Sequence, residues 1–242
     1  MGFPFHHKNV RKKSRRNRPQ ERFQKPARHL PSRAIAPPLE IMELRRNLLS
    51  PAADFVFPHA AMKAIIPVAG AGTTLRPHTH TQPKPLIPVA GKPILGHIID
   101  DLTKAGVEDF IFVVGYLAEK LKNFIQEYGG QHGFRYTFVQ QEPRMGLAHA
   151  VDLGRDHLLP EEDVLIHLGD TILDVDLEGM LTKDNSVLAV KKVEEPWHFG
   201  VANMGEDGLI TSLIEKPGIP KSNFALAGLY KICESGRLFE AT

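Results

Sequence analysis

The stretch Met62-Lys-Ala-Ile-Ile-Pro-Val-Ala-Gly-Ala-Gly-Thr-Thr-Leu-Arg-Pro77, followed by Gln82-Pro-Lys-Pro-Leu-Ile-Pro88, decides how this chain is read. Ala64 to Val68 is a short apolar run of the kind a buried strand provides. It breaks at once into a loop with glycines at 70 and 72, where the missing Cβ allows close approach and unusual backbone angles. Successive amides in such a loop can face a phosphate. Lys84 follows between two prolines that stiffen the chain around it, as an ammonium held at a fixed place requires. The pattern predicts a triphosphate cradle at the end of a strand.

Two better-known glycine loops do not fit. A P-loop closes with Gly-Lys-Ser/Thr, and here Gly72 is followed by Thr73-Thr74-Leu75. A dinucleotide fingerprint places a third glycine three residues after Gly72, a position held by Leu75.

The chain has 242 residues, 42% of them apolar, enough for a large core. A single cysteine, Cys233, excludes an intramolecular disulfide and makes a reducing, cytoplasmic setting the default. No apolar run approaches the length of a membrane span. The net charge of +2 conceals a split. Residues 1–61 hold 13 Lys/Arg against 4 Asp/Glu, whereas residues 62–242 hold 17 against 24.

The basic, Pro- and Arg-rich first 61 residues read as a disordered extension, since they offer too little apolar surface to offset ordering. The exception is Leu39 to Leu49, whose spacing allows a short helix. The extension fits a non-specific nucleic-acid arm, a transit peptide poor in serine, or a segment outside the natural product, with translation starting at Met62. The last is favoured, so the expected domain is 62–242. Its acidic balance argues against a nucleic-acid partner.

From Met62 onward strands and helices alternate. Pro93 opens a helix with Ile94, Leu95, Ile98, Ile99 and Leu102 on one face, ending at Ala105-Gly106. Phe110 to Val114 is an apolar strand. A helix through Leu121, Phe124 and Ile125 closes at Gly129-Gly130. Tyr136 to Val139 is a strand, Gly146 to His157 a helix, and Val164 to Leu168 another apolar strand ending in Gly169-Asp170. Further strands are expected at Val187–Lys191, Phe199–Asn203 and Leu209–Ile214, the last two around a Glu206-Asp207-Gly208 turn. The prediction is an α/β fold with a Rossmann-like, mainly parallel sheet covered by helices on both faces. Ligands bind such sheets at the carboxyl ends of strands, where the glycine loop and Asp170 both fall. A carboxylate there suits Mg²⁺ held against phosphate oxygens; it suits equally a cap on the following segment.

With these residues assembled, Met62 to about Ile232 resembles the sugar-1-phosphate nucleotidylyltransferases. The resemblance rests on Gly72-Thr-Thr-Leu, Pro83-Lys-Pro-Leu, Gln141 ahead of Gly146-Leu-Ala, Gly169-Asp170, Phe199-Gly-Val and Glu215-Lys-Pro, in that order. It implies that amides around Gly70, Ala71, Gly72 and Thr73, with Arg76, hold a nucleoside triphosphate. Lys84 would neutralise phosphate charge, Gln141 and the Gly146 backbone would read the base, and Asp170 would bind Mg²⁺. Gly200, Glu215 and Lys216 would line the sugar-phosphate side. The implied reaction is attack of a sugar-1-phosphate, glucose-1-phosphate being the best candidate, on the α-phosphorus of dTTP or UTP with loss of pyrophosphate. It needs positioning and charge neutralisation more than covalent chemistry.

Thr74 stands where the family has a loop arginine, and the chain ends at Thr242, before the part that completes the family's sugar pocket. The competing reading is therefore a non-catalytic regulatory relative that binds nucleotide or sugar phosphate. Self-association as a homo-oligomer is left open. The twelve histidines, among them His78, His80, His97, His149, His167 and His198, lack the paired spacing of a zinc site.

Overall fold

The computed structural model describes residues 39–44 and 62–240. The early elements are β1 (Leu39–Leu44), β2 (Lys63–Pro67), the short hairpin β3 (Pro88–Val89) and β4 (Lys92–Pro93), and α1 (Ile94–Lys104). Next come β5 (Asp109–Val114), α2 (Ala118–His132), β6 (Arg135–Gln140), α3 (Leu147–Asp152) and β7 (Val164–His167). The last are α4 (Leu177–Leu181), β8 (Ser186–Lys192), β9 (Gly200–Met204), β10 (Ile210–Glu215), β11 (Phe224–Ile232) and α5 (Ser235–Glu240).

Nine strands form one sheet in the order β6-β5-β2-β7-β11-β8-β1-β10-β9. From β6 to β7 every pairing is parallel, as the apolar strand runs predict. β11 turns the sheet antiparallel against both β7 and β8. Strand alternation divides the core. Ala64 and Ile66 of β2, with Phe110, Phe112 and Val114 of β5, pack beneath α1 and α2. Ile65, Ile111 and Val113 face the other way, toward Ala150 and Val151 of α3 and Phe239 of α5. Helices thus cover both faces, and burial of this many Ile, Leu, Val and Phe side chains supplies the main driving force.

The helix expected to close at Gly129-Gly130 runs on to His132, where the N–H of Gly133 returns to the Gly129 carbonyl at 2.8 Å. Gly129 serves packing instead: a Cβ there would stand 3.0 Å from the Tyr136 ring. The helix expected over Gly146–His157 is shorter, α3 being followed by a separate turn at Arg155–His157. β11 was not anticipated.

The larger correction concerns the first 61 residues. Leu39 to Leu44 is neither helical nor disordered; it pairs antiparallel with β8 along its whole length, from Leu39↔Lys191 to Leu44↔Ser186. Its inner residues alternate by the period of a strand. Met42 is buried with Leu188, Val190, Ala202 and Ile210, whereas Ile41 packs on the opposite cluster. Glu43 accepts from Asn185 Nδ2 and pairs with Lys183, both at 3.0 Å. Leu39–Leu44 therefore belongs to the folded sheet, although it precedes the expected start at Met62. Residues 1–38 and 45–61, the rest of the expected extension, lie outside the described residues.

Candidate functional site

At the carboxyl ends of β2, β6 and β7 lies a cavity of about 700 Å³. Its first wall is the glycine loop. β2 ends at Pro67, the N–H of Val68 donates to the Val113 carbonyl at 2.8 Å, and the chain then leaves the sheet. Gly72 takes a left-handed conformation (φ 58°), and a Cβ there would meet Thr79 and Lys84 at 3.0–3.1 Å. Its carbonyl is held by the Thr79 hydroxyl at 2.8 Å, with Thr79 almost wholly buried. Protein contacts thus hold the loop at Gly72.

The second wall comes from β7. Gly169 packs so tightly on β2 that a Cβ would stand 2.3 Å from Val68 and 3.1 Å from the Pro67 carbonyl. This close approach brings Asp170 to the glycine loop. The Lys84 ammonium donates to Asp170 Oδ2 at 2.6 Å. Lys84 sits on a short helical turn whose neighbours Pro83, Pro85 and Leu86 are all buried. Both charged groups remain partly open to the cavity, their side chains 28% and 38% exposed. His167, the last residue of β7, is buried with Nδ1 2.9 Å from the Leu168 carbonyl. Burial holds its imidazole pKa below the ordinary value.

The third wall is the segment after β6. Gln141 is 4% exposed. Its amide nitrogen lies 2.9 Å from the Gly146 carbonyl, to which it donates, and 3.2 Å from His149 Nδ1. The carboxamide oxygen has no protein partner among the described residues.

Nine residues singled out in the sequence line this one cavity: Gly70, Ala71, Gly72, Thr73, Arg76, Lys84, Gln141, Gly146 and Asp170. Gly200, Glu215 and Lys216 do not. They gather at the base of the β9–β10 hairpin, where Gly200 pairs with Glu215 and the N–H of Lys216 donates to the Phe199 carbonyl at 3.0 Å. Thr74 is exposed and is not part of the lining. Arg144 is a lining residue that the sequence reading passed over. Its place between Gln141 and Gly146, two residues already singled out, was the available signal.

A glycine loop, a fixed lysine–carboxylate pair and a buried amide around one cavity are suited to a polyphosphate and a heterocyclic base. A family model described as nucleotidyl transferase matches residues 63–235, which spans all three walls. The chain belongs to the nucleotidyl transferase family. It is 38% identical to a low-salt glycan biosynthesis nucleotidyltransferase of Haloferax volcanii, over 70% of this chain and 48% of that protein. It is 37% identical to a glucose-1-phosphate thymidylyltransferase of Streptomyces griseus, over the same shares. A UTP–glucose-1-phosphate uridylyltransferase of Haloferax volcanii is 37% identical over 70% of this chain and 71% of its own length. The solved structure of UDP-glucose pyrophosphorylase complexed with UDP-glucose matches with a TM-score of 0.63 at 25% identity, covering 72% of this chain and 76% of that one. The chain spans about half the length of the first two nucleotidyltransferases, 48% in each case. Among the described residues no helix is long and apolar enough to cross a membrane.

Proposed function

We propose that this nucleotidyl transferase moves a nucleotidyl group from dTTP or UTP to a sugar-1-phosphate, glucose-1-phosphate being the best candidate, and releases pyrophosphate. The observation that carries the reading is the Lys84–Asp170 pair, 2.6 Å apart at the mouth of the glycine loop. The relatives named for thymidylyl and uridylyl transfer support the same substrate class.

In this reading the loop from Gly70 to Thr73 offers backbone amides to the triphosphate, already shaped by Gly72 and Thr79. Preformed donors of this kind cost no reorganisation when charge develops. Lys84 turns its ammonium from Asp170 to the phosphate oxygens as the sugar-phosphate oxygen closes on the α-phosphorus. Gln141 fixes the base: with its amide nitrogen engaged, its carboxamide oxygen accepts the ring N–H that uracil and thymine share. Gly200, Glu215 and Lys216 form the sugar-phosphate side on the β9–β10 hairpin.

Magnesium fits this donor set. Asp170 gives the cavity one hard oxygen ligand, and the described residues hold no cluster of three or more His, Cys, Asp or Glu able to cage a metal. Mg²⁺ commonly binds through one or two carboxylates with substrate phosphates completing its shell. When bound by Asp170 it supplies additional neutralisation of phosphate charge. A reducing cytoplasmic setting suits a chain whose single cysteine, Cys233, is buried.

The test is pyrophosphate release by the full chain with Mg²⁺, glucose-1-phosphate, and dTTP or UTP in turn. Release requiring both substrates is the expected result. Release without the sugar phosphate, or none with either nucleotide, would refute the reading.

A further inference from the structure

The glycine loop carries no cation from Val68 to Leu75, yet its cavity is bordered by Arg76, Lys84 and Arg144. Lys84 is balanced by Asp170. The arginines ion-paired to carboxylates among the described residues are Arg135, Arg155 and Arg237; the two that border the cavity are not among them. The cavity thus presents two uncompensated guanidinium charges, a field that favours a multiply charged anion over a singly charged one.

Arg144 is the better ordered for this task. Its guanidinium carbon lies 5.8 Å from the centre of the Tyr116 ring, within cation–π range. Tyr116 is itself fixed. Its hydroxyl is 3.1 Å from the carbonyls of both Thr79 and His80, and its N–H donates to the Ala69 carbonyl at 3.1 Å. Thr79 in turn holds the Gly72 carbonyl. A continuous set of contacts therefore links this guanidinium to the loop that would cradle the phosphates, although the two lie on different strand ends.

We propose that Arg144 grips the β- and γ-phosphates of the nucleoside triphosphate, supplying from across the cavity the guanidinium that the glycine loop lacks. A planar guanidinium presents parallel donors that match phosphate oxygens. The inference rests on the nucleotidyl-transfer reading above. As the sugar-phosphate oxygen bonds to the α-phosphorus, the bond from that phosphorus to the bridging oxygen breaks. The electron pair leaves with pyrophosphate, whose charge Arg144 neutralises. Tyr116 is a positioning residue that acts through Arg144.

The experiment compares equilibrium binding of UTP, UMP, dTTP and dTMP to the full chain, with Mg²⁺, in wild type, Arg144→Ala and Arg144→Lys. Arg144 is exposed, so the variants should unfold at the wild-type temperature. Losing a charge-assisted contact should weaken triphosphate binding by about 10- to 100-fold in Arg144→Ala, with monophosphate binding changed less than about twofold. Arg144→Lys should fall between wild type and Arg144→Ala, keeping the charge without the fork. Equal weakening of mono- and triphosphate would overturn the proposal by assigning Arg144 to the base or to loop packing. Unchanged triphosphate binding would overturn it outright. Wild type binding none of the four nucleotides would overturn the nucleotide reading itself, and this inference with it.

Discussion

Met42 gives the sharpest test of how the fold is closed. It lies in β1 and is only 4% exposed, packed with Leu188, Val190, Ala202 and Ile210. Truncating a buried methionine to alanine removes its transfer energy and leaves a cavity, at a cost of about 2–5 kcal/mol. For a chain of this size each kcal/mol moves the melting temperature by about 2–4 °C. Met42→Ala should therefore melt roughly 5–15 °C below wild type by circular dichroism. Glu40→Ala is the control: it lies in the same strand, and its side chain is exposed, so it should melt within about 2 °C of wild type. The same logic predicts that a chain starting at Met62 is less stable than the full chain, because it loses the partner of β8. If Met42→Ala melts with wild type and the shortened chain is as stable as the full one, β1 is not part of the folded sheet and the reasoning fails.

Three further outcomes follow from the site and its supports. Lys84→Met should lower turnover at least about 100-fold while leaving the melting temperature nearly unchanged, measured by pyrophosphate release and thermal unfolding; a loss below tenfold would remove Lys84 from the chemistry. Gly169→Ala should destabilise by about 1–3 kcal/mol in a denaturant titration, because its methyl would overlap Val68 and press on the Pro67 carbonyl; wild-type stability would show that the β2–β7 contact is loose. Burial depresses the folded pKa of His167 below the ordinary imidazole value of about 6.5. The unfolded state then binds the extra proton first, so stability is full above about pH 6.5 and declines below it, toward the folded pKa. Comparing the pH dependence of unfolding free energy in wild type and His167→Gln checks this, and equal slopes below pH 6.5 would contradict it.

What the sequence disclosed and what it hid divide along physical lines. β2, β5, β7 and α1 are continuous apolar or amphipathic runs, and their identity follows from local periodicity. The glycine loop, Lys84 and Asp170 were legible because turn chemistry and a strand end mark them directly, whereas Gln141 was reached only through the family resemblance. β1 was not. Leu39-Glu-Ile-Met-Glu-Leu44 is compatible with either helix or strand, and its choice is made by β8, far along the chain. β11 escaped because its ladder with β8 shifts register between Leu226 and Tyr230, where Gly228 interrupts the alternation. Arg144 is exposed in a loop, where no periodicity points to a role; only the cavity around it and the ring beneath it do.

The place of β1 in the sheet also sets an order of events during synthesis. Its residues leave the ribosome early, but Met42 pairs with Leu188, which follows only after about 10–30 s at typical elongation rates. Meanwhile β2, β5 and β6 can associate with α1 and α2, all drawn from one contiguous stretch, Lys63 to Gln140. The first described strand to be made must therefore be among the last to find its place. A nascent chain that stalls before Ser186 leaves β1 with its apolar residues and nothing to pair with.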